Sequence, residues 1–292
     1  AYRLHYNGTE TESGGGGQIT LGGHSPASSP FLRHPRLLPR LIRYLTRHPC
    51  LSYWFGPEFL GSSSQSPRVD EGVRDSFQEL GLALERLERS SNLEPERLWA
   101  SLSPFLCDPS GNPHRSELNI EKLWNPYLPG RGCLGLVEFR ALRMPASPER
   151  ATALAALLRL LCALLVRQDP VPELKDWGDE LHERFALPYY LRQDLKQVLA
   201  DLEAGGLALP EPLAARLLDA KRREIGGLEL GGSQFQLTQA LEFWPLVGDV
   251  ASQEAGGSRL MDSSSGRIQL LLRPAAEGGV DPERWVLSCN GY

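Results

Sequence analysis

The spacing of apolar positions changes several times along this chain, and each change predicts a different element. The opening, YRLHYNGTETESGGGGQITLGG, reads as a strand, a loop ending in four glycines, and a short strand over Gln18–Leu21 closed by Gly22 and Gly23. Leu38, Leu41, Ile42 and Leu45 then recur at helical spacing and predict a helix around Pro35–His48. Val73, Phe77, Leu80, Leu84 and Leu87 trace the apolar side of a second helix, Val69–Arg89. A shorter one follows near Pro95–Leu106, stopped by a turn at Asp108–Gly111. Period-two patterning then predicts two strands, His114–Leu123 and Cys133–Met144.

From Ser147 to about Arg223 the pattern is helical. The first helix has a cap at Ser147, Pro148 at its first position and Glu149 in its first turn. Further helical segments are expected over Pro172–Phe185, Tyr189–Leu202 and Glu211–Arg223. After Gly226 short alternating runs return at Leu228–Leu230, Phe235–Leu241, Arg259–Asp262, Arg267–Leu272 and Trp285–Cys289, which predict a small antiparallel β unit. The fold class is therefore α+β, divided at residues 1–146, 147–225 and 226–292.

Composition narrows this picture. A chain of 292 residues can bury a sizeable core without disulfides, and 41% apolar with 23% charged residues is ordinary globular usage. The formal charge of −5 leaves no global footprint for nucleic acid or an anionic membrane, so neither is expected as a partner. The most membrane-like stretch, Ala151–Val166, is shorter than the roughly 20 residues a span needs and carries Arg159 near its middle, so it is expected to be a core helix. Cys50, Cys107, Cys133, Cys162 and Cys289 are odd in number and widely spaced, which fits a reducing, cytoplasmic location better than a disulfide framework or a structural zinc site. The chain begins at Ala1 and enters a strand-like run at once, so a piece of a longer protein is expected.

The basic residues are almost all arginine; lysine occurs only at Lys122, Lys175, Lys196 and Lys221. Arg36, Arg40, Arg43 and Arg47 share one helical face, read first as a solvated face and second as an anion-binding stripe. In HRSELNIEKLW, strand geometry groups Arg115, Glu117, Asn119 and Glu121, and sends His114 to the opposite face, so His114 and Glu117 are not expected to share a metal. In CLGLVEFRALRMP, Glu138 and Arg140 sit side by side with Leu134, Leu136 and Leu142 on an otherwise apolar face. Desolvating both ions costs several kcal/mol unless partners compensate. Spacing leaves two readings open, a cation on Glu138 with an anion on Arg140, or an internal ion pair joining strands. The glycines before Gln18 could approach an anion, yet no phosphate-loop or dinucleotide fingerprint is present. Gln65, Arg68, Asp70 and Glu71 form another polar cluster, where acidic residues also serve as ordinary helix caps. Serine-hydrolase and zinc-protease signatures are missing, and no cysteine is paired with an evident base.

The successive blocks GGGGQITLGG, SPFLRHPRLL, HPCLSYWF, SQSPRVDEG, GNPHRSELNIEKLWNP, GCLGLVEFRALRMP, DWGDELHERFALPYY and VLSCNG resemble, in order, a bacterial amidoligase family found as the C-terminal part of transglutaminase-like proteins. That family is similar to glutamine synthetase-like carboxylate–amine ligases. The resemblance implies a partial ligase-type antiparallel sheet with packed helices, followed by the helical segment and β tail. It further implies ATP and Mg as cofactors, an acyl phosphate, peptide or small-molecule acid and amine substrates, and an upstream transglutaminase-like domain. Glu138 and Glu117 would bind metal, and Arg140 and Arg115 would stabilise the transferred phosphoryl group. Gly16, Gly17, Gln18, Arg68 and Asp70 would line the nucleotide. The ligase turn leads into a histidine, whereas this chain has Gln18, which hydrogen-bonds but does not titrate. That substitution opens a second reading, a non-catalytic substrate-recruiting or scaffolding module for the transglutaminase-like part.

Overall fold

A computed structural model describes residues 2–4, 10–12, 17–62, 64–91, 93–128, 130–167, 171–230, 232–243, 266–274, 286, 288 and 291. Gly16, Cys289 and the expected strand at Arg259–Asp262 lie outside the described residues, and of the expected strand Trp285–Cys289 only residues 286 and 288 are described, neither of them in a strand.

The chain runs β1 (Tyr2–Leu4), β2 (Glu10–Glu12), β3 (Ile19–Leu21), α1 (Pro30–Arg33), α2 (Leu37–Arg47), α3 (Cys50–Tyr53), β4 (Phe59–Leu60), α4 (Arg74–Arg89) and α5 (Pro95–Leu102). It continues through β5 (Leu118–Asn119), β6 (Val137–Phe139), α6 (Pro148–Arg167), α7 (Glu180–Phe185), α8 (Pro188–Ala204), α9 (Glu211–Leu218), β7 (Glu224–Leu230), β8 (Ser233–Gln239), β9 (Glu242–Phe243) and β10 (Ile268–Arg273). Helices and small, largely antiparallel sheets coexist, so the α+β class holds. The antiparallel sheets are the pair β1–β2, a three-stranded sheet in the order β3–β6–β5, and another in the order β10–β8–β7. β4 and β9 pair in parallel, tying residues 59–60 to 242–243.

One apolar core runs through most of this. α6 presents Leu154, Leu157, Leu158, Leu161 and Leu165 to it, and α8 adds Leu191, Leu195, Val198 and Leu202. α6 is thus a core helix, and among the described residues no helix is long and apolar enough to cross a membrane. Trp54, 2% exposed, donates its indole N–H to the Leu217 carbonyl at 2.7 Å, so its polar edge is satisfied where its ring is buried.

Several expected elements are shorter than periodicity predicts. Of His114–Leu123 only β5 is strand, and of Cys133–Met144 only β6. Asn112 and Asn119 accept from the N–H groups of His114 and Glu121, which competes with a ladder on either side of β5. Gly135, at φ 69°, turns the chain just before β6. In the Pro172–Phe185 stretch only α7 is helical. Residues 171–177 instead dock on the end of α2, with the Trp177 indole donating to Thr46 O at 2.9 Å, and Gly178 at φ 53° breaks the path. The expected Val69–Arg89 helix splits into a 3-10 turn, Val69–Glu71, and α4, because Glu71 folds back to accept from the Arg68 N–H. Val73, expected on the apolar side, therefore precedes the helix and is 67% exposed. The arginine stripe is not uniformly solvated: Arg43 is buried, and Arg40 donates to Leu165 O at 3.1 Å and to Glu88 at 3.3 Å.

The C-terminal sheet has an unusual orientation. Its register puts Gln236, Thr238, Gln269, Leu271 and Arg273 on one face and Leu228, Leu237, Ile268 and Leu270 on the other. The mostly polar face lies toward α8, where Gln269 and Thr238 are buried, while Leu228, Ile268 and Leu270 are exposed.

Candidate functional site

β6 is the centre strand of the β3–β6–β5 sheet, and its register sets Thr20 and Asn119 on either side of Glu138. Antiparallel pairing of Ile19 with Phe139 carries Gln18 opposite Arg140. Residues two apart share a face, so Gln18, Glu138 and Arg140 are brought together by backbone geometry alone. Val137 and Phe139 point into the core and fix β6 in place.

Glu138 is 5% exposed on its side chain. Its Oε2 accepts from Lys122 Nζ at 2.5 Å, and its Oε1 accepts from Arg140 Nη1. With its amide nitrogen turned toward the carboxylate, Gln18 donates to Glu138 Oε1 at 3.2 Å and accepts from Arg140 Nη2 at 3.2 Å. Burial would raise the Glu138 carboxyl, but the Lys122 hydrogen bond and the Arg140 charge hold it below its ordinary value. The cluster thus carries two cations against one anion. Arg140 Nε is buried with no hydrogen-bond partner. A net positive, partly desolvated fork of this kind suits a phosphate or carboxylate. It suits a divalent cation poorly, because Glu138 is already neutralised twice. Among the described residues no group of three His, Cys, Asp or Glu side chains could hold a metal.

Glu117 shares this register, its carbonyl accepting from Arg140 N–H at 2.8 Å, but its carboxylate goes elsewhere. It accepts from Ser52 Oγ at 2.5 Å and lies 3.9 Å from Arg68 Nη1. Arg68, with a fully buried guanidinium, forks onto Asp70 at 2.8 and 2.7 Å and donates to Leu45 O and Thr46 O. Against the cost of burial, Asp70 and Glu117 keep that guanidinium charged. One guanidinium cannot balance both carboxylates in a buried site. Burial pushes Asp70 up against the pull of Arg68, and it pushes Glu117 up to about 7. Glu71, beside them, accepts from Tyr53 Oη, Gly61 N and Arg68 N and pairs with His182 Nε2 at 3.1 Å. Despite burial, the His182 and Tyr53 hydrogen bonds hold its carboxyl below its ordinary value.

The residues singled out from sequence therefore fall into separate places. Glu138, Arg140 and Gln18 meet on one sheet face. Glu117, Arg68 and Asp70 belong to the buried network behind it, where every one of their charges is already engaged by protein groups. Arg115 lies 3.5 Å from Asp108, the carboxylate that organises the 108–112 turn through Ser110 N and Asn112 N. Gly17 is buried, and its N–H donates to Leu142 O at 3.3 Å, so that donor is engaged by the neighbouring strand end. A Cβ there would overlap the Arg143 carbonyl, which explains the glycine by packing alone. Lys122 was missed by periodicity because it sits in the turn after β5; its rarity in an arginine-rich chain was the only sequence cue.

A family model described as "Putative amidoligase enzyme (DUF2126)" matches residues 1–292. No curated protein and no solved structure matches the chain.

Proposed function

Because the chain belongs to the amidoligase family whose model spans it, we propose that its sheet face carrying Glu138, Arg140, Lys122 and Gln18 serves an ATP-dependent carboxylate–amine ligase reaction. In this reading a substrate carboxylate oxygen takes the γ-phosphoryl group of ATP and releases ADP. The amine nitrogen then attacks the acyl carbon, phosphate leaves, and the nitrogen gives up a proton. Charge builds on phosphoryl oxygens in the first step and on the departing phosphate in the second. Both demand fixed cations in a site with little water. Arg140 offers a planar fork held at its root by β6, and Lys122 a second positive charge from the turn after β5. Glu138 is the brace that keeps both from scattering, and Gln18 ties the brace to the fork. The observation that carries the reading is the excess of one positive charge around a buried carboxylate, with Arg140 Nε still lacking a partner. Mg²⁺ would come held mainly by the phosphates of ATP, since among the described residues no group of three His, Cys, Asp or Glu side chains is placed to hold a metal.

Isothermal titration of the 292-residue chain with ATP, with and without Mg²⁺, tests this. We expect saturable binding that weakens at least tenfold in Arg140→Ala while the circular-dichroism spectrum is unchanged. Tenfold corresponds to about 1.4 kcal/mol, at the low end for a charge-assisted hydrogen bond. Absence of nucleotide binding under both conditions would sink the reading. It would favour the second one, a non-catalytic module recruiting substrate for a transglutaminase-like part, for which the non-titrating Gln18 at the centre of the cluster speaks.

A further inference from the structure

A sizeable cavity lies away from the Glu138 cluster and shares no residue with it. About 660 Å³ in volume, it is a groove between α8, the segment after α9 and the polar face of the β10–β8–β7 sheet. That volume is within the usual range for a small-molecule site. Sheets normally turn their apolar face inward; this one buries Gln269 and Thr238 and leaves Leu228 and Ile268 outside. The inward face is internally satisfied at its base, with Gln269 donating to Thr238 Oγ1 at 3.2 Å and accepting from Tyr189 N at 2.8 Å.

Four cations enter the groove from separate elements. Arg192 and Lys196 are one turn apart on α8, Lys221 follows α9, and Arg273 ends β10. Asp219 and Glu224 are the acidic groups on the lining, which leaves a positive excess in a chain of net charge −5. Among the described residues none of the four cationic side chains has an ion pair or a side-chain hydrogen bond. Asp219 is engaged otherwise, its Oδ1 accepting from the Lys221 backbone N–H at 2.9 Å. Several arginines elsewhere in the fold are ion-paired, among them Arg68 with Asp70, Arg140 with Glu138 and Arg143 with Glu58. Two of the chain's few lysines are in this groove. Four positive charges set against two carboxylates leave a net positive lining, which a bound anion balances.

We propose that this groove binds a small organic polyanion with two or more phosphate or carboxylate groups. Arg192 and Arg273 grip its anionic oxygens through their forks, and Lys196 and Lys221 add point charges. The Tyr189 ring and Leu271 give an apolar wall for the rest of the ligand.

The test is titration of the full chain with inorganic triphosphate and, separately, with citrate at low ionic strength, where exposed pairing is least screened. Wild type is expected to bind at least one of the two. Binding should fall at least tenfold in the Arg192→Ala/Arg273→Ala double variant and hold in an Arg86→Ala/Arg89→Ala control of equal charge change. Triphosphate alone would identify a phosphate ligand, citrate alone a polycarboxylate, and both a site read by charge. Arg140→Ala separates this site from the sheet face: it removes only the anion binding that the sheet face contributes, and the component lost in the Arg192→Ala/Arg273→Ala variant should remain. Anion binding that vanishes in Arg140→Ala and persists in the double variant overturns the proposal, as does no binding of either probe.

Discussion

Glu117 shows how a single residue's role depends on where its carboxylate ends up. Alternation groups it with Asn119 on a polar strand face, yet it lies buried against Ser52 and the Arg68 guanidinium. Burial pushes its carboxyl up to about 7 in the folded protein, against about 4.3 in an unfolded chain. Between those values the folded state holds a proton that the unfolded state has released. The group's contribution to stability therefore declines as pH rises from about 4.3 to about 7, and is constant above that. Glu117→Gln keeps an acceptor for Ser52 and removes the titration. Denaturant unfolding across this window should show a flatter pH dependence in the variant than in wild type, with a difference on the order of a few kcal/mol over the whole range. Identical slopes would mean that Glu117 is ionised in the folded protein. Glu138, by contrast, is held ionised by two cations, so two glutamates twenty-one positions apart differ in charge state because of their neighbours.

At the level of elements, β3 and β6 bring the candidate cluster together, and their contact depends on how closely Gly17 approaches the chain after β6. Its N–H bonds Leu142 O, and any side chain would meet the Arg143 carbonyl. Gly17→Ala should therefore wedge β3 away from β6, costing about 1–3 kcal/mol by overpacking. A lowered melting temperature, by several degrees, is the measurement that checks it. If Gly17 acted only by cradling a phosphate, the variant would melt like wild type and lose ATP binding alone. The strands of this sheet are two and three residues long, far short of what alternation suggested. Asparagine side chains and a left-handed glycine end the ladders, and neither changes the apolar pattern on which strand prediction rests. The helices fared better because caps and long apolar faces are local features: α4, α6, α8 and α9 start or stop close to the expected positions.

Across the whole molecule, the chain after residue 225 is tied to the rest at more than one point. β9 pairs with β4, Leu241 N–H donates to Ala186 O at 2.8 Å, and the Leu241 side chain is 1% exposed within the common core. Leu241→Ala should lower global stability by about 2–5 kcal/mol, the range for a buried leucine. Calorimetry should then show the main transition of the chain move downward as one. A main transition unmoved, with a separate minor transition lost, would instead mark 226–292 as an independently folding unit. The parallel β4–β9 pairing joins segments some 180 positions apart, and nothing in either short run of residues announces its partner.

Alternation and helical spacing alone determined the α+β class, the core helices and the adjacency of Glu138 and Arg140, because each follows from the period of a single local element. Tertiary structure decided the rest. It brought Gln18 and Lys122 to that pair, sent Glu117 and Arg68 into a buried network, and turned the polar side of the last sheet inward. Each of these depends on which distant segment occupies the adjoining space, and on whether burial is matched by a counter-charge there.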